Sequence, residues 1–366
     1  MPNQRDIAKK LGTTQATVSM ALREDPSISK EMRERVRQTA DEMGYQQNAY
    51  VKVLMSQVRS GRKISDKGVI GLLVATRSLA DWHEVTSYRI FHQGVVQRGK
   101  ELGFRVEPFF IQQKDMTPAR LDRILQARGI TGIILAPPYH GNRSLQMDWR
   151  AYSAVGVGYG WEAQELNRVV YDNLQNFITA FNELRKLGYK RIGTVLGETF
   201  TYGNRYGTKW YTGFLECQNA LPKKQRIPVF AGQNQPGENQ VPVFAGASDQ
   251  NPLEPFRIWF EKWKPDALLT LTGKEIQWLE RLGLNVPADV GMACLSQPSE
   301  DHFARIEEKG DIVGATALEM VAAQMGRNEL GPPVHPKVTM IEGRWVSGRT
   351  TKAQKSVTGG EPKANS

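Results

Sequence analysis

Wound as a helix, residues 15–22 turn Val18, Ala21 and Leu22 to one side and leave Gln15, Ala16, Ser19, Met20 and Arg23 on the other. That second face carries a carboxamide, a hydroxyl, a guanidinium and two apolar groups. Such a set can hydrogen-bond to base edges and phosphates and meet thymine methyls. It needs a scaffold to present it, and the flanking residues spell one. Ile7, Ala8 and Leu11 recur at helical spacing, Gly12-Thr13-Thr14 makes a tight turn, and Thr14 is placed to cap the helix that follows. A third helix is expected from Lys30 to Met43, with Met32, Val36, Ala40 and Met43 inward, Ser29 as its cap and Gly44 as its stop. The pattern predicts a helix-turn-helix over residues 5–22, whose second helix enters the major groove.

Charge points to the same partner. The chain of 366 residues has a net charge of +10. Residues 1–63 hold twelve Lys and Arg against seven Asp and Glu, so half the excess sits in about a sixth of the chain. The absence of a signal peptide and of a long apolar run predicts a protein of the cytoplasm or nucleoid with no membrane partner. Cys217 and Cys294 are far apart in sequence and read as small core residues. His83, His92, His140, His302 and His335 show no zinc spacing, Gly156-Val157-Gly158-Tyr159-Gly160 lacks the G-x-G-x-x-G pattern, and no G-x-S-x-G elbow occurs. No enzyme activity, metal or cofactor is expected.

From Gly68 onward short apolar runs alternate with amphipathic stretches. Strands are expected at 69–74, 104–111, 132–136, 154–157, 191–196, 267–271 and 290–294, with helices between them; Phe91, Val95 and Leu102 share one helical face, and Phe177, Phe181, Leu184 and Leu187 another. This alternation predicts parallel sheets covered by helices on both sides, and the length suits two lobes. Ile227-Pro-Val-Phe-Ala-Gly232 recurs as Val241-Pro-Val-Phe-Ala-Gly246. One copy is expected to be a strand of its lobe, the other an exposed hairpin strand or disordered. Residues 350–366 lack apolar periodicity and leucine heptads, which predicts a disordered tail and a dimer instead of a tetramer.

Asp6-Ile7-Ala8, Gly12-Thr13-Thr14-Gln15-Ala16-Thr17-Val18-Ser19, Arg37-Gln38-Thr39-Ala40 and Met43-Gly44-Tyr45-Gln46-Gln47-Asn48 resemble, in type and spacing, the opening of the lactose-repressor (LacI/GalR) family of bacterial regulators. The resemblance continues through Leu187-Gly188-Tyr189-Lys190-Arg191-Ile192-Gly193, Gly283-Leu284-Asn285-Val286-Pro287-Ala288-Asp289-Val290, Gly314-Ala315-Thr316-Ala317 and Arg349-Thr350-Thr351. It implies a helix-turn-helix DNA-binding domain at 1–47, a hinge helix and linker at 48–64, and a type I periplasmic-binding-protein-like α/β core at 65–349. The N-lobe would comprise about 65–160 and 293–327, and the C-lobe about 161–292 and 328–349. Thr14, Thr17, Ser19, Tyr45 and Asn48 would contact phosphates, Gln15, Ala16 and Met20 would meet base edges, and Arg23 would lie on the same face. Lys52 would approach the backbone, and Leu54 would wedge into the minor groove. The implied partners are a pseudo-palindromic DNA operator, a second copy of the chain, and a small effector, sugar or glycan-derived, in the interlobe cleft. Trp82, Tyr139, Tyr159, Tyr171, Asp172, Trp210, Thr272 and Ser296 are the expected effector contacts. The family's usual pattern is not kept there: Trp210 stands three residues before Gly213, where the family commonly has a ligand-gripping arginine, Thr272-Gly273 replaces an asparagine-aspartate pair, and Ser296 replaces an aspartate. The alternative is an architectural DNA-binding protein, or a regulator without small-molecule response.

Overall fold

The computed structural model describes residues 4–22, 25, 27–43, 68–138, 144–161, 165–197, 205–231, 243–245, 253–271, 273–296, 298 and 300–353. They fall into two compact units, within Met1–Ile64 and Ser65–Ser366.

The first unit is built from helices Gln4–Leu11, Gln15–Ala21 and Lys30–Glu42. Ile7, Ala8, Val18, Ala21, Val36 and Ala40 form its buried centre, with Leu11, Leu22, Ile28, Met32 and Met43 packed around them. These are the inward stripes read from the sequence, joined by Ile28 from the connection. Gly12 takes φ +64° in the turn between the first two helices, where a side chain would be strained. Ser29 Oγ accepts from Met32 N at 3.3 Å and caps the third helix.

The second unit holds two sheets. In the first, the order is β12 (Val338–Ile341), β5 (Asn167–Tyr171), β4 (Ser153–Val157), β3 (Gly132–Leu135), β1 (Val69–Val74) and β2 (Arg105–Phe110), with every pairing parallel. Ile70, Leu72 and Val74 face one cluster and Leu73 the opposite one, which is why β1 reads as a continuous apolar run: it is buried on both sides. In the second sheet the order is β13 (Arg344–Val346), β11 (Ala304–Glu307), β10 (Gly291–Cys294), β9 (Ala267–Thr270), β6 (Ile192–Gly197), β7 (Val229–Ala231) and β8 (Val243–Ala245), parallel except for β11 with β13.

The chain passes between the sheets three times. It leaves β5 for the Asn173–Lys186 helix of the second lobe, leaves β11 for the Gly310–Arg327 helix of the first, and leaves β12 for β13. This corrects the expected lobe boundaries. Residues 167–171 and 338–341 belong to the N-lobe sheet, and residues 293–307 to the C-lobe sheet. The crossing points, between Tyr171 and Asn173, between Glu307 and Gly310 and at Glu342-Gly343, are too short to show periodicity, so sequence spacing does not mark them.

Other expectations change as well. Both copies of the Pro-Val-Phe-Ala repeat form strands, β7 and β8, and they pair in parallel with identical residues opposite, Phe230 against Phe244, so neither is a hairpin partner of the other. Leu102, placed on the buried face with Phe91 and Val95, is 40% exposed because it lies beyond the helix end at Glu101. The start of the expected tail is docked: Thr350 is buried, its hydroxyl donates to Met292 O and accepts from Ala304 N, and Lys352 N donates to the Tyr189 hydroxyl. Residues 354–366 lie outside the described residues. Cys217 and Cys294 are free, buried thiols whose pKa burial pushes up to about 12.

Glu275 lies buried between β9 and the Ile276–Arg281 helix, and burial raises its pKa above the usual glutamate range. The folded state therefore favours the protonated form. Its stability contribution is full below the unfolded pKa and is lost as pH rises through the folded value. Glu275→Gln should raise the thermal midpoint at pH 8 and change it little at pH 4.5. Equal shifts at both values would show that ionisation is not involved.

Candidate functional site

The short second helix of the first unit is fixed at its start by Thr14. Its Oγ1 accepts from Thr17 N at 3.1 Å and lies 2.9 Å from the Thr17 hydroxyl, so two of the expected phosphate-contacting hydroxyls support each other. Val18 and Ala21 are buried beneath the helix. Thr14, Gln15 and Ala16 are exposed, and Thr17, Ser19 and Met20 are half-buried. The helix thus displays a carboxamide beside two apolar side chains, with hydroxyls at its rim. Arg23, Tyr45, Asn48, Lys52 and Leu54 lie outside the described residues.

In the second unit, a cavity of about 240 Å³ opens where the chain crosses between lobes. Ser87 and Ile90 line it from the Thr86–Glu101 helix, and Tyr171 lines it from the end of β5. Asp301, Arg305 and the segment Glu307–Asp311 complete the wall. Tyr171 and Glu307 stand at the carboxyl ends of their strands and Glu308–Asp311 in the connection after β11, the usual place for a ligand crevice in such sheets, while Asp301 and Arg305 approach from the amino end of β11. Ser296 follows β10, and its hydroxyl donates to the Glu308 carboxylate, which is itself 4% exposed. Lys309 turns the chain at φ +59°, and its ammonium holds Glu307 at 2.6 Å; together with Arg344 it keeps the Glu307 carboxyl below the usual range.

Two family descriptions match the chain. Residues 4–48 match the bacterial regulatory proteins of the lacI family, and residues 181–351 match the periplasmic binding protein-like domain. The chain is similar to LacI-family transcriptional regulators, with a lacI-family helix-turn-helix domain followed by a periplasmic binding protein-like domain. It is 25% identical over 334 residues to the HTH-type transcriptional repressor MelR of Bacillus subtilis (strain 168), a match covering 88% of each chain. In fold it is similar to a transcriptional regulator CelR–cellobiose complex, with a TM-score of 0.53 at 15% identity covering 96% of this chain and 100% of the other. It is likewise similar to the Lac repressor dimer bound to operator and the anti-inducer ONPF, with a TM-score of 0.53 at 16% identity, covering 96% and 99%.

Of the expected effector contacts, the structure brings Tyr171 and Ser296 to one place, the latter through Glu308. Two expectations are corrected. Trp82 is 0% exposed, packed against Tyr88, Phe91 and His92 in the N-lobe core, and Trp210 is 1% exposed in the C-lobe core, so neither ring offers a face to a ligand. Tyr159 is half-buried, with the Arg168 guanidinium 5.7 Å and the Lys209 ammonium 5.4 Å from its ring centre. Asp172 accepts from Gln175 N at 3.0 Å and caps the Asn173–Lys186 helix. Tyr139 and Thr272 lie outside the described residues. Glu308, Arg305 and Lys309 were missed. The available signal was the ionisable run Glu307-Glu308-Lys309, which begins at the last residue of β11 and precedes Gly310.

Proposed function

We infer that this regulator binds a pseudo-palindromic operator as a homodimer, represses the genes beside it, and changes operator affinity when a small molecule occupies the interlobe cavity. The observation that carries the reading is the capped second helix, which buries Val18 and Ala21 and turns Gln15, Ala16 and Met20 outward. Gln15 suits a bidentate contact to adenine, and Ala16 and Met20 suit thymine methyls. Thr14, Thr17, Ser19, Arg23, Tyr45, Asn48 and Lys52 supply phosphate-directed groups, and Leu54 the minor-groove wedge. The Lac repressor structure named above is a dimer bound to operator, and CelR is bound to cellobiose, which supports an operator and a carbohydrate-like effector for this chain.

Selection of random duplex DNA by the full-length protein, beside Leu54→Ala, tests the operator reading. A two-fold symmetric site should be enriched by the wild type and weakened in the variant. Failure to enrich any sequence would overturn operator reading in favour of architectural binding.

Effector control requires that the ligand bind two lobe arrangements with different affinity. Tyr171→Ala removes an aromatic wall of the cavity and should abolish ligand-induced change in operator affinity while leaving DNA binding intact. A variant that responds fully would place the effector elsewhere.

A further inference from the structure

The cavity wall is rich in charge. Asp301, Glu307, Glu308 and Asp311 bring four carboxylates, while Arg305 and Lys309 bring two cations. Both cations are held by the protein. Lys309 is paired with Glu307. Arg305 donates to the main-chain carbonyls of Asp301 and Phe303 at 3.1 and 3.3 Å and lies 3.5 Å from the Asp301 carboxylate. The start of the Gly310–Arg327 helix adds partial positive charge, and Asp311 in its first turn offsets it. An anionic ligand would therefore meet an acidic wall whose cations already have partners.

Glu308 has a different setting. Its carboxylate is nine-tenths buried, steadied by the Ser296 hydroxyl, and shares the wall with the Tyr171 side chain. A cavity lined by a buried acidic residue and an aromatic residue offers chemistry that recognises an ammonium group. Size narrows the class further. At about 240 Å³ the cavity has room for a sugar ring. Resting on the effector reading above, we propose that the cavity takes a single-ring polyol bearing a protonated amine, an amino sugar, whose charge is read by Glu308 with Ser296 fixing the carboxylate. Ser296 stands where the resemblance leads one to expect an aspartate, so the acid is supplied here from the following strand's end.

Isothermal titration of the full-length protein with glucosamine, galactosamine and mannosamine, their neutral parent hexoses, glucose 6-phosphate and putrescine tests this. At least one amino sugar should bind ten times more tightly than its parent hexose, with no measurable binding of the phosphate. Glu308→Gln should bring that amino sugar to the affinity of the neutral ring without weakening the neutral ring. Equal binding of amine and parent, preference for the phosphate, an unchanged preference in Glu308→Gln, or no binding by any of these compounds would each overturn the proposal. Putrescine binding as tightly as the amino sugar would also overturn it, since the polyol ring would then be irrelevant. Release of operator DNA by a neutral sugar, lost in Tyr171→Ala, would sink the charge assignment while leaving the effector site standing.

Discussion

Alanine at Gly94 will melt the core several degrees below the wild type. The Thr86–Glu101 and Gly310–Arg327 helices meet through glycines: a Cβ on Gly94 would lie 2.0 Å from the Asp311 carbonyl oxygen, and one on Gly314 would lie 2.4 Å from that of Phe91. Both obstacles are backbone, so no rotamer change relieves them and the helices must separate. Overpacking of this kind costs about 1–3 kcal/mol, and more where backbone has to move. We expect about 3 kcal/mol. Gly156→Ala is the control, since a Cβ there meets nothing within 4 Å. Thermal denaturation of the two variants should show a loss for Gly94→Ala and little change for Gly156→Ala; matching midpoints would mean the helices do not approach so closely. Because Asp311 also lines the cavity, the same variant should weaken effector binding.

Gln15→Ala is expected to lower affinity for the selected operator by about 1–3 kcal/mol, roughly five- to 150-fold, the range for losing one bidentate base contact. Affinity for random duplex should hold, and so should the salt slope, because a carboxamide releases no counterion. The helix itself should survive: Gln15 is exposed, and the cap runs from Thr14 to Thr17 around it. Fluorescence anisotropy at several salt concentrations with operator and scrambled duplex separates these terms. A uniform fall on both duplexes would mean that Gln15 supports the fold or the backbone contact and does not read bases.

Much of the architecture was legible because periodicity reports burial. The inward stripes of the first three helices and the runs at 69–74, 132–136 and 267–271 are apolar for the reason they were read as elements: those side chains are covered. Trp210 could have been placed correctly by the same rule, since it recurs with Phe214, Cys217 and Leu221 at helical spacing in one core cluster. A resemblance to ligand-gripping positions outweighed that stripe. Trp82 offered less, because the Leu79–His83 helix is too short for a period to be measured. Glu308 was invisible for a different reason. Its role depends on β10 lying beside β11, which brings Ser296 to it, and adjacency between strands is not written in either strand's own pattern.

The three passages between lobes also bear on how the chain must be made. The N-lobe sheet takes its edge strand, β12, from residues 338–341, after the whole C-lobe sheet except β13 has been laid down, and β13 follows at 344–346. A nascent chain emerging from the ribosome can assemble β1 to β4 early, but the Gly310–Arg327 helix that covers them arrives more than 150 residues later. Until then that face has Phe91 and Val95 of the Thr86–Glu101 helix against it, but not Val313, Ala317, Leu318 and Val321. The N-lobe core is therefore completed only after nearly the whole C-lobe has been synthesised, and its partly covered apolar face is exposed in the meantime.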